Sequence, residues 1–320
     1  MSATITTRQE ILFLYEAKDC NPNGDPLDEN RPRTDPETGE ATVTDVRIKR
    51  TIRDYLYQEK GQEILVRDTL EPDGTLRDGK GRCSDFIAKC GVAAGAKLPE
   101  LIPAVTRQIL NDCIDARLFG ATLPLPKGSI KITGPVQFSA FNRSLHAVSP
   151  TFIQQTAAFA SKKGAMQKSF AERWILPYAL IGAYGVINET AAQNTTLTDG
   201  DIDLLLQGLW NGTNSLNTHS KMGHQSLLLV RIQYQAGYRI GGLPERVRLQ
   251  TDKEETSIRR ASDFTVDITK LCGAIQDAGE KVVRVDYLHD NRLELTADNR
   301  EAGFANLAKQ YGIMANRLEL

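Results

Sequence analysis

Six cations crowd one short stretch. Arg31, Arg33, Arg47, Lys49, Arg50 and Arg53 span the end of a loop rich in Asn, Asp, Pro and Gly and the helix that follows it. Cations gathered this way can neutralise a phosphate backbone and release its condensed counterions. The same run also describes an ordinary solvated helix face. A second cationic segment favours the first reading. Residues 143–173 hold Arg143, Lys162, Lys163, Lys168 and Arg173 against the single acid Glu172, a net of +4, with Phe152, Phe159, Met166 and Phe170 dispersed among them. Charges that track a backbone, with apolar wedges between them, suit single-stranded nucleic acid. His219-Ser220-Lys221 adds a third polar site, which alone reads as an exposed loop.

Other chemistries fit less well. Asp19, Asn21, Asn23 and Gly24 occupy positions 1, 3, 5 and 6 of a calcium-loop pattern, but position 12 is Asn30, where a bidentate Glu belongs. Asn and Asp side chains bonding their own backbone, with Gly24 in the turn, explain the loop as well. Asp25, Asp28, Glu29 and Asp35 could serve two-metal phosphodiester chemistry only if gathered around the ions, which sequence does not show. The chain has no HEXXH, Walker or GxSxG motif. Its four His are scattered, and its five Cys (Cys20, Cys83, Cys90, Cys113, Cys272) form no CxxC pair. Neither a metal nor any other cofactor is therefore expected.

These residues need elements to hold them. Residues 8–18 form an apolar strand, Ile11-Leu12-Phe13-Leu14-Tyr15 at its centre, that runs into the loop. A helix capped by Thr44 or Asp45 follows, with Ile48, Ile52, Tyr55 and Leu56 on one face. Residues 61–113 carry turns and small-residue helical text, an insertion. Strands are expected at 130–139, 175–187 and 227–235, and a helix at 198–210 with Asp201 and Asp203 in its first turn. Stripped of insertions, the order is β, α, β, β, α, β, that of an α+β, ferredoxin-like sandwich.

Composition bounds the rest. The chain has 320 residues, 41% hydrophobic and 25% charged, with a net charge of −1, so any nucleic-acid surface must be a local stripe. The longest uncharged run, Trp174 to Ile187, is short and broken by Pro177, Gly182 and Gly185. No membrane span or signal peptide is expected, and the cytoplasm is the expected compartment.

Several motifs together resemble a known family. NPNGDP (Asn21–Pro26), RPR-x-DPETG (Arg31–Gly39) and VTDVRIKRTIRDYL (Val43–Leu56) resemble the start of the Cas7 backbone subunit of type I CRISPR Cascade complexes, nearest its I-B and I-C branches. DARLFGA (Asp115–Ala121), GPVQFS (Gly134–Ser139), NRS (Asn142–Ser144) and SKMGHQSLLL (Ser220–Leu229) agree. The resemblance implies an RNA-recognition-type palm (1–60, 115–139 and 174–320), helical fingers (61–114) and a thumb (140–173). It implies a non-catalytic RAMP protein in antiviral defence, whose copies line one guide RNA (crRNA) as a helical filament. Each thumb kinks the guide and flips out a base, leaving the others to pair with target DNA. Other Cascade subunits and a recruited helicase-nuclease are the remaining partners. Mapped onto this chain, guide contacts would come from Arg31, Arg33, Arg47, Lys49, Arg50 and Arg53, from Asn142, Arg143, Lys162, Lys163 and Lys168, and from His219, Ser220 and Lys221. Phe152, Phe159 and Met166 are the wedge candidates. Backbone subunits of type III complexes cut RNA with a loop aspartate, so a ribonuclease built on Asp25 or Asp35 is the alternative.

Overall fold

The structure is a computed structural model that describes residues 3–92, 97–125, 128–160 and 168–320; of residues 155–160 and 168–171 it describes the backbone alone. Of the sequence-derived site residues, Lys162, Lys163 and Met166 lie outside the described residues, as do the side chains of Phe159 and Lys168.

An apolar run from Ile11 to Leu14, at most 1% exposed, makes the centre of β1 (Arg8–Cys20). A two-rung ladder, β2 (Gly24–Asp25) with β3 (Arg31–Pro32), and the strand β4 (Glu40–Thr44) lead into α1 (Asp45–Gln58). The Thr44 hydroxyl accepts the Arg47 N–H, and Ile48, Ile52, Tyr55 and Leu56 form the buried face that their spacing requires.

The insertion comprises α2 (Gly79–Lys89), α3 (Leu98–Asp112), α4 (Ile114–Phe119) and the hairpin β5 (Gly120–Leu125) with β6 (Gly128–Thr133). It packs its own apolar cluster around Phe86, Val105 and Ile109. Next come β7 (Val136–Phe138), β8 (Phe141–Ala147), β9 (Thr151–Ala160), the long β10 (Lys168–Ile187), α5 (Glu189–Thr195), α6 (Asp199–Asn214) and β11 (His224–Tyr234). The chain closes with β12 (Arg248–Gln250), β13 (Thr265–Asp267), α7 (Thr269–Ala278), β14 (Val282–His289), β15 (Leu295–Ala297), β16 (Arg300–Glu301), α8 (Phe304–Gln310) and β17 (Ala315–Arg317).

The main sheet runs β17-β14-β11-β1-β10-β8-β4, with β7 and β9 also on β10. β1 lies antiparallel between β10 and β11. The fold is therefore α+β with several sheets. α1 and α6 cover one face, with Ile52, Leu205 and Leu209 packed on Phe13 and Ile181. Residues after 240 cover the other: Leu243, Phe264, Leu271 and Phe304 pack on Leu12, Leu14, Val230 and Ile232. Burying both faces explains why β1 and β11 read as near-continuous apolar text.

Two sequence expectations need correction. The strand expected at 130–139 is two strands in different sheets, β6 and β7. At Gly134 the chain passes so close to the insertion that a Cβ would lie 2.0 Å from the Phe119 carbonyl carbon, and the ladder breaks there. Residues 141–147, expected in the excursion, form β8 of the main sheet. Polar inward residues hid that strand. Asn142, Ser144 and His146 are each 2% exposed and stitch the neighbouring backbones together. Asn142 Oδ1 accepts the Tyr184 N–H at 3.0 Å, while its Nδ2 donates to the Ser139 and Val43 carbonyls. Ser144 Oγ accepts the Ala41 N–H, and His146 Nε2 accepts that of Leu180. Among the described residues, no helix is long and apolar enough to cross a membrane.

Candidate nucleic-acid interface

β1 ends, β10 enters and β11 begins at one end of the main sheet, since Cys20 pairs with Leu176 and Ala17 with His224. The loop after β1 and the loop before β11 meet there. The Asn21 N–H donates to the Ser220 carbonyl at 2.9 Å, and the Lys221 ammonium donates to the Asn21 carbonyl. Asn23 ties the same loop to α1, its Oδ1 accepting from the Thr44 N–H and hydroxyl at 2.8 and 2.9 Å.

Two cations at this end, Arg47 and Lys221, have no carboxylate partner among the described residues. Arg47 donates to the Thr51 hydroxyl at 2.9 Å and meets no carboxylate within ion-pairing distance among the described residues. Burial lowers its pKa. Burial also pushes the Lys221 ammonium down to about 8, helped by the positive charge of Arg47. His224, beneath them, is held neutral with a value near 4 for the same first reason. Desolvated cations without a partner are costly, and an anion arriving between them removes that cost.

Three arginines here leave a donor unused. Among the described residues, nine buried side-chain polar atoms have no hydrogen-bond partner, and three of them are the Nε donors of Arg31, Arg33 and Arg173. Arg31 lies with its guanidinium 4.8 Å from the Trp174 ring centroid. Arg33 pairs with Asp25 at 3.0 Å. Arg173 donates to His219 Nε2 at 2.8 Å, which fixes that nitrogen as the acceptor. Arg31, Arg33, Arg143 and the exposed Phe141 line one groove of about 530 Å³ together with Asp25, Asp28 and Asp35. Guanidinium forks, an exposed aromatic and unpaired N–H donors offer phosphate contacts and a stacking surface together.

The helix face expected to be cationic is mostly neutralised. Lys49 pairs with Asp45, Arg50 with Asp54 and Arg53 with the fully buried Asp115. The acids were spaced one turn away or lay in the insertion, so the run of Lys and Arg alone did not reveal them. Asn142, expected as a guide contact, is buried with both amide groups used. Arg143 is exposed and pairs with Asp35 and Glu40, and its guanidinium holds the Asp35 carboxyl below its ordinary range. Phe152 lies against Trp174, their centroids 5.2 Å apart. Sequence reasoning missed Trp174 and gave Arg173 no individual role, although a Trp beside an Arg in a cationic segment was the available signal.

Among the described residues, no group of three or more His, Cys, Asp or Glu is placed to hold a metal ion. Asp25 and Asp35 face arginines. Cys20, beside His224 at 3.6 Å, is buried and its thiol is pushed up to about 12, which makes it a poor nucleophile.

The fold is that of chains from two solved surveillance complexes. A chain of a "CRISPR RNA-guided surveillance complex, pre-nicking" superposes with a TM-score of 0.53 at 12% identity, covering 96% of this chain and 99% of that one. A second, from a "CRISPR RNA-guided surveillance complex", gives 0.52 at 14%, covering 95% and 98%. The sequence narrows the class: the family model "CRISPR-associated protein Cas7" matches residues 7–269. The Haloferax volcanii "CRISPR-associated protein Cas7" is 31% identical over 313 residues, 91% of this chain and 89% of that protein. The chain belongs to the Cas7 family.

Proposed function

We propose that this chain is a non-catalytic subunit that binds a CRISPR guide RNA and lines up in several copies along it, as the backbone of a type I Cascade surveillance complex. The observation that carries the reading is gathered at one end of the main sheet: Arg47 and Lys221, half-buried without a carboxylate partner among the described residues, and the unused Nε donors of Arg31, Arg33 and Arg173. Family membership and the likeness of fold support it.

The strands β1, β8, β10 and β11, with α1 and α6, supply the palm. Their spatial order β11-β1-β10-β8 is the 4-1-3-2 order of a ferredoxin-like sheet. Residues 61–114 serve as fingers and the β9–β10 hairpin as the thumb, which kinks the guide and leaves the remaining bases to pair with target DNA. Asp25 and Asp35 shape the loop through their arginines. Cleavage belongs to a recruited helicase-nuclease, other Cascade subunits complete the particle, and the cytoplasm is its compartment.

Titrating a ~40-nucleotide RNA against salt tests the reading, because single-strand affinity falls by roughly 0.7 log units per log salt for each phosphate contacted. Replacing Arg31, Arg173 and Lys221 together flattens that slope by about two units. Binding that ignores salt, or a triple variant with the original slope, overturns the assignment.

A further inference from the structure

β10 leaves the main sheet at one identifiable place. From Leu176 onward it pairs with β1, while from Ile175 back to Lys168 its only strand partner among the described residues is β9. Trp174 is thus at the root of a two-stranded ribbon, directly opposite Phe152. Such ribbons twist readily and have little stability of their own.

Two loops grip this root. Arg31, from the loop after β1, covers the Trp174 ring at 4.8 Å, and Phe152 packs against the same ring at 5.2 Å and 59°. Next to Trp174, the Arg173 guanidinium donates to the His219 ring at 2.8 Å and to its carbonyl at 3.3 Å, from the loop before β11. Arg31 and His219 are also candidate RNA contacts. The groups that meet the strand are therefore the groups that hold the hairpin.

We propose that Trp174 is a positioning residue: clamped between Arg31 and Phe152, it sets the angle at which the β9–β10 hairpin stands on the main sheet, and so the place where the hairpin crosses a bound RNA. This rests on the guide-binding reading of the groove. Trp174 contributes orientation, and the phosphate contacts lie elsewhere. Identical copies along one strand must impose a regular repeat on it, and the hairpin angle fixes the phase of that repeat.

Two measurements decide it. In a Trp210→Phe background, which leaves Trp174 as the sole indole, Arg31→Ala and Phe152→Ala each shift Trp174 emission to longer wavelength without RNA. Unchanged emission in both overturns the clamp. With a ~40-nucleotide RNA, Trp174→Leu keeps affinity within about threefold, the scale of one exposed cation–π contact, and keeps the salt slope. Its nuclease footprint loses the regular repeat, and Trp174→Phe restores it. A Trp174→Leu variant with an unaltered repeat, or one whose affinity and salt slope fall together with it, overturns the positioning role. A wild type that binds no RNA removes the underlying reading, while the fluorescence arm still decides the clamp by itself.

Discussion

Arg53 and Asp115 join α1 to the insertion: the Arg53 Nε donates to Asp115 Oδ2 at 2.8 Å, with Arg53 11% exposed and Asp115 fully buried. The same carboxylate accepts the Leu65 and Val66 N–H groups. Removing one partner of a buried pair leaves an uncompensated charge. Arg53→Ala therefore destabilises the protein by roughly 3 kcal/mol in urea unfolding. The RNA salt slope of the surviving folded protein stays as in the wild type, because this guanidinium faces inward. A variant of unaltered stability with a flattened slope would place Arg53 in the groove instead.

Lys221 gives the groove a pH dependence. Burial brings its ammonium down to about 8 from an ordinary 10.5, so the unfolded chain holds that proton more tightly and apo stability rises with pH between those values. Phosphate favours the charged form. Above pH 8, RNA binding must take up a proton, and affinity falls by up to about tenfold per pH unit. Lys221→Arg keeps its charge throughout, so RNA titrations from about pH 7.5 to 9.5 should give a level affinity, and a fall like that of the wild type would place the proton elsewhere.

His224 acts in the same direction, on the acid side. Its ring is buried against Cys20 and below Lys221, and its value near 4 lies under the ordinary 6.5. The unfolded chain takes up a proton first, so stability is lost as pH falls from 6.5 to 4, by up to about 1.4 kcal/mol per pH unit for this one site. Buried His146 and His289 shift in the same direction. Melting temperatures across pH 7 to 4.5 should fall steeply, and less steeply in His224→Gln.

Gly223 brings the loop before β11 onto the end of β1. Its carbonyl accepts the Lys18 N–H at 2.9 Å, and a Cβ at this position would lie 1.7 Å from the Lys18 carbonyl oxygen. Gly223→Ala must push the two segments apart, moving Lys221 with them. Weakened RNA binding with a lower melting temperature is expected. Wild-type values for both would show that the loop tolerates separation.

Much of this was legible in the residues. The apolar run of β1 and the i, i+4 face of α1 announced their burial, and the opening motif announced the family. What stayed hidden was hidden for physical reasons. β8 shows Asn142, Ser144 and His146 where a strand usually shows apolar side chains, because those groups replace missing ladder bonds. The neutralisation of Arg53 depends on Asp115, which only the fold brings near. Conversely, Arg47 meets no carboxylate because Asp45 and Asp54, its neighbours in sequence, pair with Lys49 and Arg50, a fact no count of charges contains.

The segment after residue 240 seals the sheet face that α1 and α6 leave open. Both cores are then complete without the groove side chains, which come from the loops after β1 and before β11 and from the outward faces of α1, β8 and β10. Changes in those loops and changes in either core have few shared partners, so their free energies should add. Selection can therefore retune how the chain grips a strand, loop by loop, while drawing little on the stability that keeps it folded.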